Sequence, residues 1–221
     1  MSLRWWRRRR PRAPRVSVVI ATYNWSSVLR HAIACVLEQS FGDLELLVIG
    51  DGCDDDSDEV VASFDDRRVL WHNLEHNSGS QSAPNNAGIA MARGEYVAYL
   101  GHDDLWLPDH LALLVDRLDC TGADLGFTIA SLVLPGGGRW VSGLLDGDYD
   151  ERDFVVPSSL MHRREAAARI GPWPDYREIE LPPDIEWQQR ALALGLRFAG
   201  VPRLSVVKFS SALRRDSYIE R

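Results

Sequence analysis

The sequence has no run of eighteen apolar residues, so no segment reads as a membrane-spanning helix. It also lacks the pattern of a secretory leader, because Leu3, Trp5 and Trp6 are followed by arginines rather than by an apolar segment. Cysteine is scarce: Cys35, Cys53 and Cys120 are too few and too scattered for a disulfide framework or a zinc site, which fits a reducing, cytoplasmic setting. Cys35 falls in an apolar helical pattern and Cys53 in a polar loop, and neither is assigned chemistry. Positive charge is concentrated in Arg4, Arg7, Arg8, Arg9, Arg10, Arg12 and Arg15, so a formal net charge of −7 leaves the remaining body distinctly acidic. Such a body is a poor partner for nucleic acid.

What is present is organised around residues 94–110. After Gly94-Glu95, the run Tyr96 to Leu100 reads as a strand buried on both faces. His102, Asp103 and Asp104 follow at once. Pro108 then opens a helix with Leu111, Leu114, Val115 and Leu118 at helical spacing. Two adjacent carboxylates therefore sit at the carboxyl end of a strand, where open α/β sheets place their ligands. Adjacent aspartates repel, so a bound cation is the simplest way to keep both ionised. A hard divalent metal with oxygen ligands, Mn²⁺ or Mg²⁺, shared with a phosphate-bearing partner, is the expectation.

The ordered run of glycine, Glu-Tyr, apolar strand, Asp-Asp, aromatic, Pro-Asp and amphipathic helix resembles the acidic metal-binding motif of inverting family 2 glycosyltransferases. The resemblance implies an α/β protein of the GT-A fold, with a mostly parallel central sheet flanked by helices. Other segments extend it. A strand from Val16 to Ala21 ends in Thr22-Tyr23-Asn24 before a helix from about Ser26 to Gln39, and in the family this turn contacts the nucleotide. A second strand, Leu44 to Ile49, ends in Gly50-Asp51-Gly52-Cys53 where the family has Asp-Asp-Gly-Ser. Asp51 matches the aspartate that accepts a hydrogen bond from the base, while Gly50 and Cys53 depart from the pattern. Asp54 to Asp58 lack the glycine and distal glutamate of a calcium loop and read as a helix start. A third strand, Val69 to Asn73, leads to Asn77-Ser78-Gly79, and Asn85 and Asn86 stand where many members carry an arginine.

In the second half, Ala123 to Leu134 reads as one long strand or a strand pair, followed by a turn at 135–138 and an irregular acidic stretch, 140–154. His162 is either donor-facing or structural. Leu181-Pro182-Pro183-Asp184, six residues ahead of Arg190, resembles the family's second signature, which implies Asp184 as the catalytic base. A helix cap is the weaker alternative for Asp184; Glu186 is the nearby rival for the base, and its spacing to Arg190 equally allows an i,i+4 ion pair. A strand from Leu196 to Val201 and an arginine-bearing tail close the chain.

The expected organisation is a flexible basic arm, residues 1–15, and a single domain, 16–221. Its first half, 16–118, would bind the nucleotide sugar and its second, 119–221, the acceptor. The resemblance implies metal-dependent, inverting transfer of one sugar from a nucleotide-diphosphate donor, UDP-sugars first among them, to a saccharide, lipid-linked or small-molecule acceptor. Thr22, Tyr23, Asn24, Asp51 and Asp103 would bind the donor, Asp104 and Asp103 the metal. Single rather than processive transfer is expected, since the sequence shows no carboxyl-terminal membrane helix. Arg-rich residues 1–15, with Trp5-Trp6, are a candidate for peripheral contact with an anionic membrane. Two rivals are a non-catalytic sugar-nucleotide-binding or regulatory subunit of the same fold and a sugar nucleotidyltransferase. Ala21-Thr22-Tyr23-Asn24-Trp25 is not the glycine-rich phosphate loop the latter requires.

Overall fold

The computed structural model describes residues 12–143, 149–150 and 154–209. Four β-branched or apolar segments form parallel strands: β1 (Val16–Thr22), β2 (Leu44–Gly50), β3 (Val69–Asn73) and β4 (Tyr96–Gly101), in the order β3-β2-β1-β4. Their crossovers are α1 (Ser26–Leu37), α2 (Ser57–Ala62) and α3 (Ser82–Met91). In this register Thr22 lies beside Gly50 and Ala21 beside Gly101, so the loops after β1, β2 and β4 open at one edge.

Beyond β4 come β5 (Leu105–Trp106), α4 (His110–Thr121), β6 (Leu125–Val133), β7 (Arg139–Ser142), β8 (Leu160–Arg163), α5 (Arg164–Ile170), α6 (Pro183–Ala193) and β9 (Phe198–Phe209). Strand β8 inserts antiparallel between β4 and β6, β9 runs parallel to β6, and β5 closes the far edge antiparallel to β9. The sheet is thus parallel in its first four strands and mixed beyond them.

Strand periodicity divides the core into two layers. Val16, Val18 and Ile20 of β1 face one way with Leu46, Val48, Tyr96, Ala98 and Leu100, packing on Leu29, Ile33 and Val36 of α1 and Leu111, Leu114 and Leu118 of α4. Val19, Leu47, Ile49, Val97 and Tyr99 face the other way, against Ala166, Ile170, Trp173, Trp187 and Ala191. Helix α3 approaches β1 so closely that a Cβ at Gly88 would overlap the Val19 methyls.

Three boundaries differ from the sequence reading. Residues 125–133 form one strand, and Arg139–Ser142, expected to be irregular, pairs with it as β7. Strand β9 runs to Phe209 rather than stopping near Val201. Pro202 has no N–H for the ladder, and the register with β6 slips there before pairing resumes at Leu204. Most of the basic arm, residues 1–11, lies outside the described residues, but Arg15 belongs to the folded body. Its N–H donates to Asp43 O (3.0 Å), and its guanidinium meets Asp119 (2.9 Å) and Glu95 (3.0 Å).

Two fully buried histidines brace the second half. His110 stacks on Trp106 and has Nδ1 2.8 Å from Ser205 Oγ. His162 has Nδ1 2.8 Å from the Arg163 carbonyl, which only accepts, so Nδ1 carries the proton and Nε2 accepts from the Tyr99 hydroxyl, 2.8 Å away. His162 is therefore structural rather than donor-facing. Burial pushes His110 down to about 3 and His162 down to about 4 from an ordinary 6.5. Both are neutral when folded and take up protons on unfolding below about pH 6.5, so their contribution is present above that value and is lost as pH falls toward 4. Urea denaturation should give midpoints that decline steadily from about pH 7 to pH 5, with proton uptake on unfolding. A flat profile across that window would contradict the buried neutral state.

Candidate active site

At the open edge of the parallel strands lies a cleft of about 510 Å³. It is lined by Ala21 near the end of β1, by Gly101 at the end of β4 with His102 and Asp103 after it, by Gly79, Ser80, Gln81 and Asn85 where α3 begins, and by Pro183 and Asp184 of α6 and Lys208 of β9. Residues more than eighty positions apart thus share one cavity.

The adjacent aspartates point to different places. A tight turn, with Asp104 N–H donating to Gly101 O (3.0 Å), leaves Asp103 on the cleft and drives Asp104 inward, where none of its surface is exposed. The Asp104 carboxylate accepts from Ser158 Oγ, from the Lys208 ammonium (2.9 Å) and from Phe209 N–H (3.1 Å). The expectation of a metal held chiefly by Asp104 does not fit this arrangement, because both oxygens already have donors and Lys208 supplies the neutralising charge. Asp103 does fit a hard cation, as one carboxylate on an open cleft, with the remaining ligands supplied by substrate phosphates and water. Among the described residues no three His, Cys, Asp or Glu side chains converge on a metal position.

Of the residues expected to bind the donor, Asp103 lines the cleft; Thr22, Tyr23, Asn24 and Asp51 are not among its lining residues, though Thr22 bonds the lining His102. Thr22 Oγ1 lies 2.9 Å from His102 Nδ1, and Trp25 meets the His102 ring edge-on. Asn24 adopts a left-handed φ of 44°, which asparagine tolerates, and its side chain exchanges hydrogen bonds with Asp54. Asp51 is 2% exposed and accepts from Ser78 N–H (3.1 Å) and Ser78 Oγ (3.0 Å), which fixes the loop leading to Gly79 and Ser80. Burial raises its pKa, with the Ser78 bonds opposing. Asp55 accepts from Ser57 N–H, Ser57 Oγ and Ser26 N–H, so this acidic cluster organises the start of α2 and ties it to α1.

The departure at Gly50 has a local counterpart in Asn73. Asn73, at the end of β3, accepts from Cys53 N–H (2.9 Å) and donates to Cys53 O (2.8 Å), and its amide occupies the space that a side chain at 50 would need. A Cβ on Gly50 would fall against Asn73 Oδ1 and 2.7 Å from the Trp71 ring.

Asp184 sits in the first turn of α6. The N-cap position is Pro182 and makes no side-chain cap bond; the Asp184 carboxylate accepts from its neighbour, Ile185 N–H, at 3.2 Å. Burial raises the Asp184 pKa, and the nearby Lys208 charge pulls in the opposite direction. Glu186 is held by Arg190 (2.8 Å), whose guanidinium also donates to the carbonyls of Ile170 and Pro172. Asn86 pairs with the backbone of Trp173 (2.9 and 2.8 Å), leaving Asn85, 3% exposed, as the amide on the cleft. Sequence reasoning missed Lys208, which lay in what looked like a tail. One signal was available: it is the single lysine among 25 Lys and Arg residues.

The profile of glycosyl transferase family 2 matches residues 17–165. An uncharacterized glycosyltransferase of Nostoc is 28% identical over 185 residues, covering 72% of this chain and 53% of that protein. A Campylobacter jejuni protein named GalNAc(5)-diNAcBac-PP-undecaprenol beta-1,3-glucosyltransferase is 35% identical over 107 residues, 47% of this chain and 34% of its own. The chain therefore spans between a third and about half the length of these relatives. Among solved structures, residues 1–349 of S. aureus TarS in complex with UDP-GlcNAc superpose with a TM-score of 0.77 over 89% of this chain and 58% of that one, at 18% identity. The shared GT-A fold is established by that superposition.

Crowding at Gly50 generates a test. Gly50→Ala should lower stability by about 1–3 kcal/mol, the usual cost of overpacking. Because Asn73 is the group displaced, adding Asn73→Ala should cost less than the sum of the single changes, measured by urea denaturation. Strict additivity would show that the two positions do not compete for space.

Proposed function

We propose that this chain, which belongs to glycosyl transferase family 2, moves one glycosyl group from a nucleoside-diphosphate sugar to an acceptor hydroxyl with inversion at the anomeric carbon. The observation that carries the reading is a single cleft lined both by Asp103, after β4, and by Asp184, of α6. TarS, which shares the fold, takes UDP-GlcNAc, which supports a UDP-sugar as donor. The Campylobacter relative is named for a polyprenol-linked saccharide acceptor, and that class leads among saccharide, lipid-linked and small-molecule acceptors.

In this proposal the base and ribose lie along the loops after β1 and β2, against Thr22, Tyr23, Asn24 and Asp51, and the diphosphate reaches Asp103. Asp103 would hold Mn²⁺ or Mg²⁺ jointly with the phosphate oxygens, and such a cation supplies Lewis-acid stabilisation of the departing nucleoside diphosphate. Asp184 then takes the proton of the acceptor hydroxyl as its oxygen attacks from the face opposite the leaving group. One base and one leaving group on opposite faces produce inversion. The raised pKa of Asp184 suits it to the work, since burial makes its carboxylate a stronger base than a solvated aspartate. Held ionised at neutral pH, the same carboxylate costs folding stability, because the unfolded chain solvates it better.

Asp184→Asn should lower turnover by about 10²- to 10⁴-fold, the usual contribution of a positioned base. It should also leave nucleotide-sugar affinity within about twofold and raise the melting temperature at neutral pH. Wild-type turnover in that variant would remove the base assignment. Asp103→Asn should abolish the Mn²⁺-dependent part of donor affinity, measured by calorimetry with and without chelator. Identical titrations for the two proteins would remove the metal assignment.

A further inference from the structure

Among the described residues, the cleft is lined by two acids, Asp103 and Asp184, and by the neutral amide of Asn85. A nucleoside diphosphate brings further negative charge to the same space. Among the described residues lining the cleft, Lys208 is the one lysine or arginine. It is also the only lysine in a chain that otherwise uses arginine for every fixed positive charge.

Its position is built rather than incidental. The side chain leaves β9 just beyond the pairing of Val206 and Val207 with β5 and remains one-quarter exposed, on the cleft. Its ammonium rests 2.9 Å from Asp104 Oδ2, which also accepts from Ser158 Oγ, while Phe209 N–H binds Oδ1. Ser158 Oγ in turn accepts from Gly101 N–H (3.1 Å), so the lysine's anchor is tied to the end of β4, beside Asp103. An ammonium has three N–H donors directed apart and can serve a carboxylate and a phosphate together.

We infer that Lys208 is the diphosphate-binding cation of this cleft, held on Asp104 and meeting the phosphate oxygens of the donor and of the departing nucleoside diphosphate. The inference rests on the nucleotide-sugar reading of the cleft and adds a binding residue to it. Asp104 becomes the positioning residue for that ammonium, and any divalent cation is confined to Asp103. Nucleoside-diphosphate binding then persists in chelator, carried by Lys208, while the nucleoside alone draws nothing from it.

A single lysine makes the test direct. The full chain, in excess EDTA, is acetylated with an N-hydroxysuccinimide ester, and modification of Lys208 is followed by peptide mass spectrometry with the amino-terminal amine as internal reference. UDP, GDP, uridine and guanosine are the probes, and thermal shift reports independently which of them binds. A nucleoside diphosphate at about ten times its Kd should slow acetylation of Lys208 about tenfold, leave the terminal amine unchanged, and differ from its nucleoside, which gives no protection. A raised melting temperature with undiminished acetylation of Lys208 overturns this inference alone. No shift with either diphosphate in EDTA, but a shift once Mn²⁺ replaces the chelator, overturns this inference and leaves the nucleotide-sugar reading standing; no shift in either condition overturns both. Lys208→Arg and Lys208→Gln give a second line: the arginine variant should keep UDP affinity within about threefold, and the glutamine variant should lose at least about tenfold for UDP but not for uridine. Equal UDP affinity in Lys208→Gln and wild type would also overturn it.

Discussion

The second half of this structure depends on one buried carboxylate. Asp104 has no exposed surface, yet it is bound by a hydroxyl from residue 158, an ammonium from 208 and an amide from 209. A charge in such a place is tolerated only when paired and fully hydrogen-bonded, and removing one partner of a buried pair typically costs about 3–5 kcal/mol. That penalty specifies where the end of β9 and the 157–159 turn must lie relative to β4. It thereby sets the distance between the two walls of the cleft, because β9 carries one wall and β4 the other.

The turn that buries Asp104 completely leaves Asp103, 7% exposed, among the residues lining the cleft. With an apolar strand behind them and a helix ahead, two neighbouring acids are given different environments, and the charge of the inner one is balanced by Lys208. A comparable economy holds on the far wall. Glu186 is spent on Arg190, and Arg190 on the carbonyls of Ile170 and Pro172, so that α6 is fixed against α5 and Asp184 is left facing the cleft.

How much of this was legible in the sequence depends on whether the signal was local. Strands β1 to β4 could be read to within a residue, because runs such as Val16 to Ala21 and Tyr96 to Leu100 are apolar on both faces and bounded by turn residues. The cleft's two acids could be placed from motif spacing, since each follows directly on a strand or opens a helix. Residues whose roles are set by distant partners were not legible. Nothing around Asp104 says that residue 208 will arrive beside it, and Pro202 disguised the strand that brings it. Gly50 looked like a lesion in a motif until Asn73 was found in the vacated space. His162 left two roles open, and only its carbonyl partner and the Tyr99 hydroxyl decide between them.

The charge of the cleft follows from these placements. Two of the cleft's lining side chains are carboxylates and one is the ammonium of Lys208, and the net charge of the whole chain is negative. On the reading proposed above, attraction for a diphosphate is short-range and local, from backbone N–H groups at the start of α3, from a cation on Asp103 and from the ammonium beside Asp104. The N–H groups and the ammonium belong to the protein itself. Asp104, which ties β4 to the end of β9, and Lys208 are partners in one ion pair. Its geometry is determined when the chain folds, before any ligand arrives, and a ligand meeting a charge already in place loses less in ordering the site than one that must assemble it.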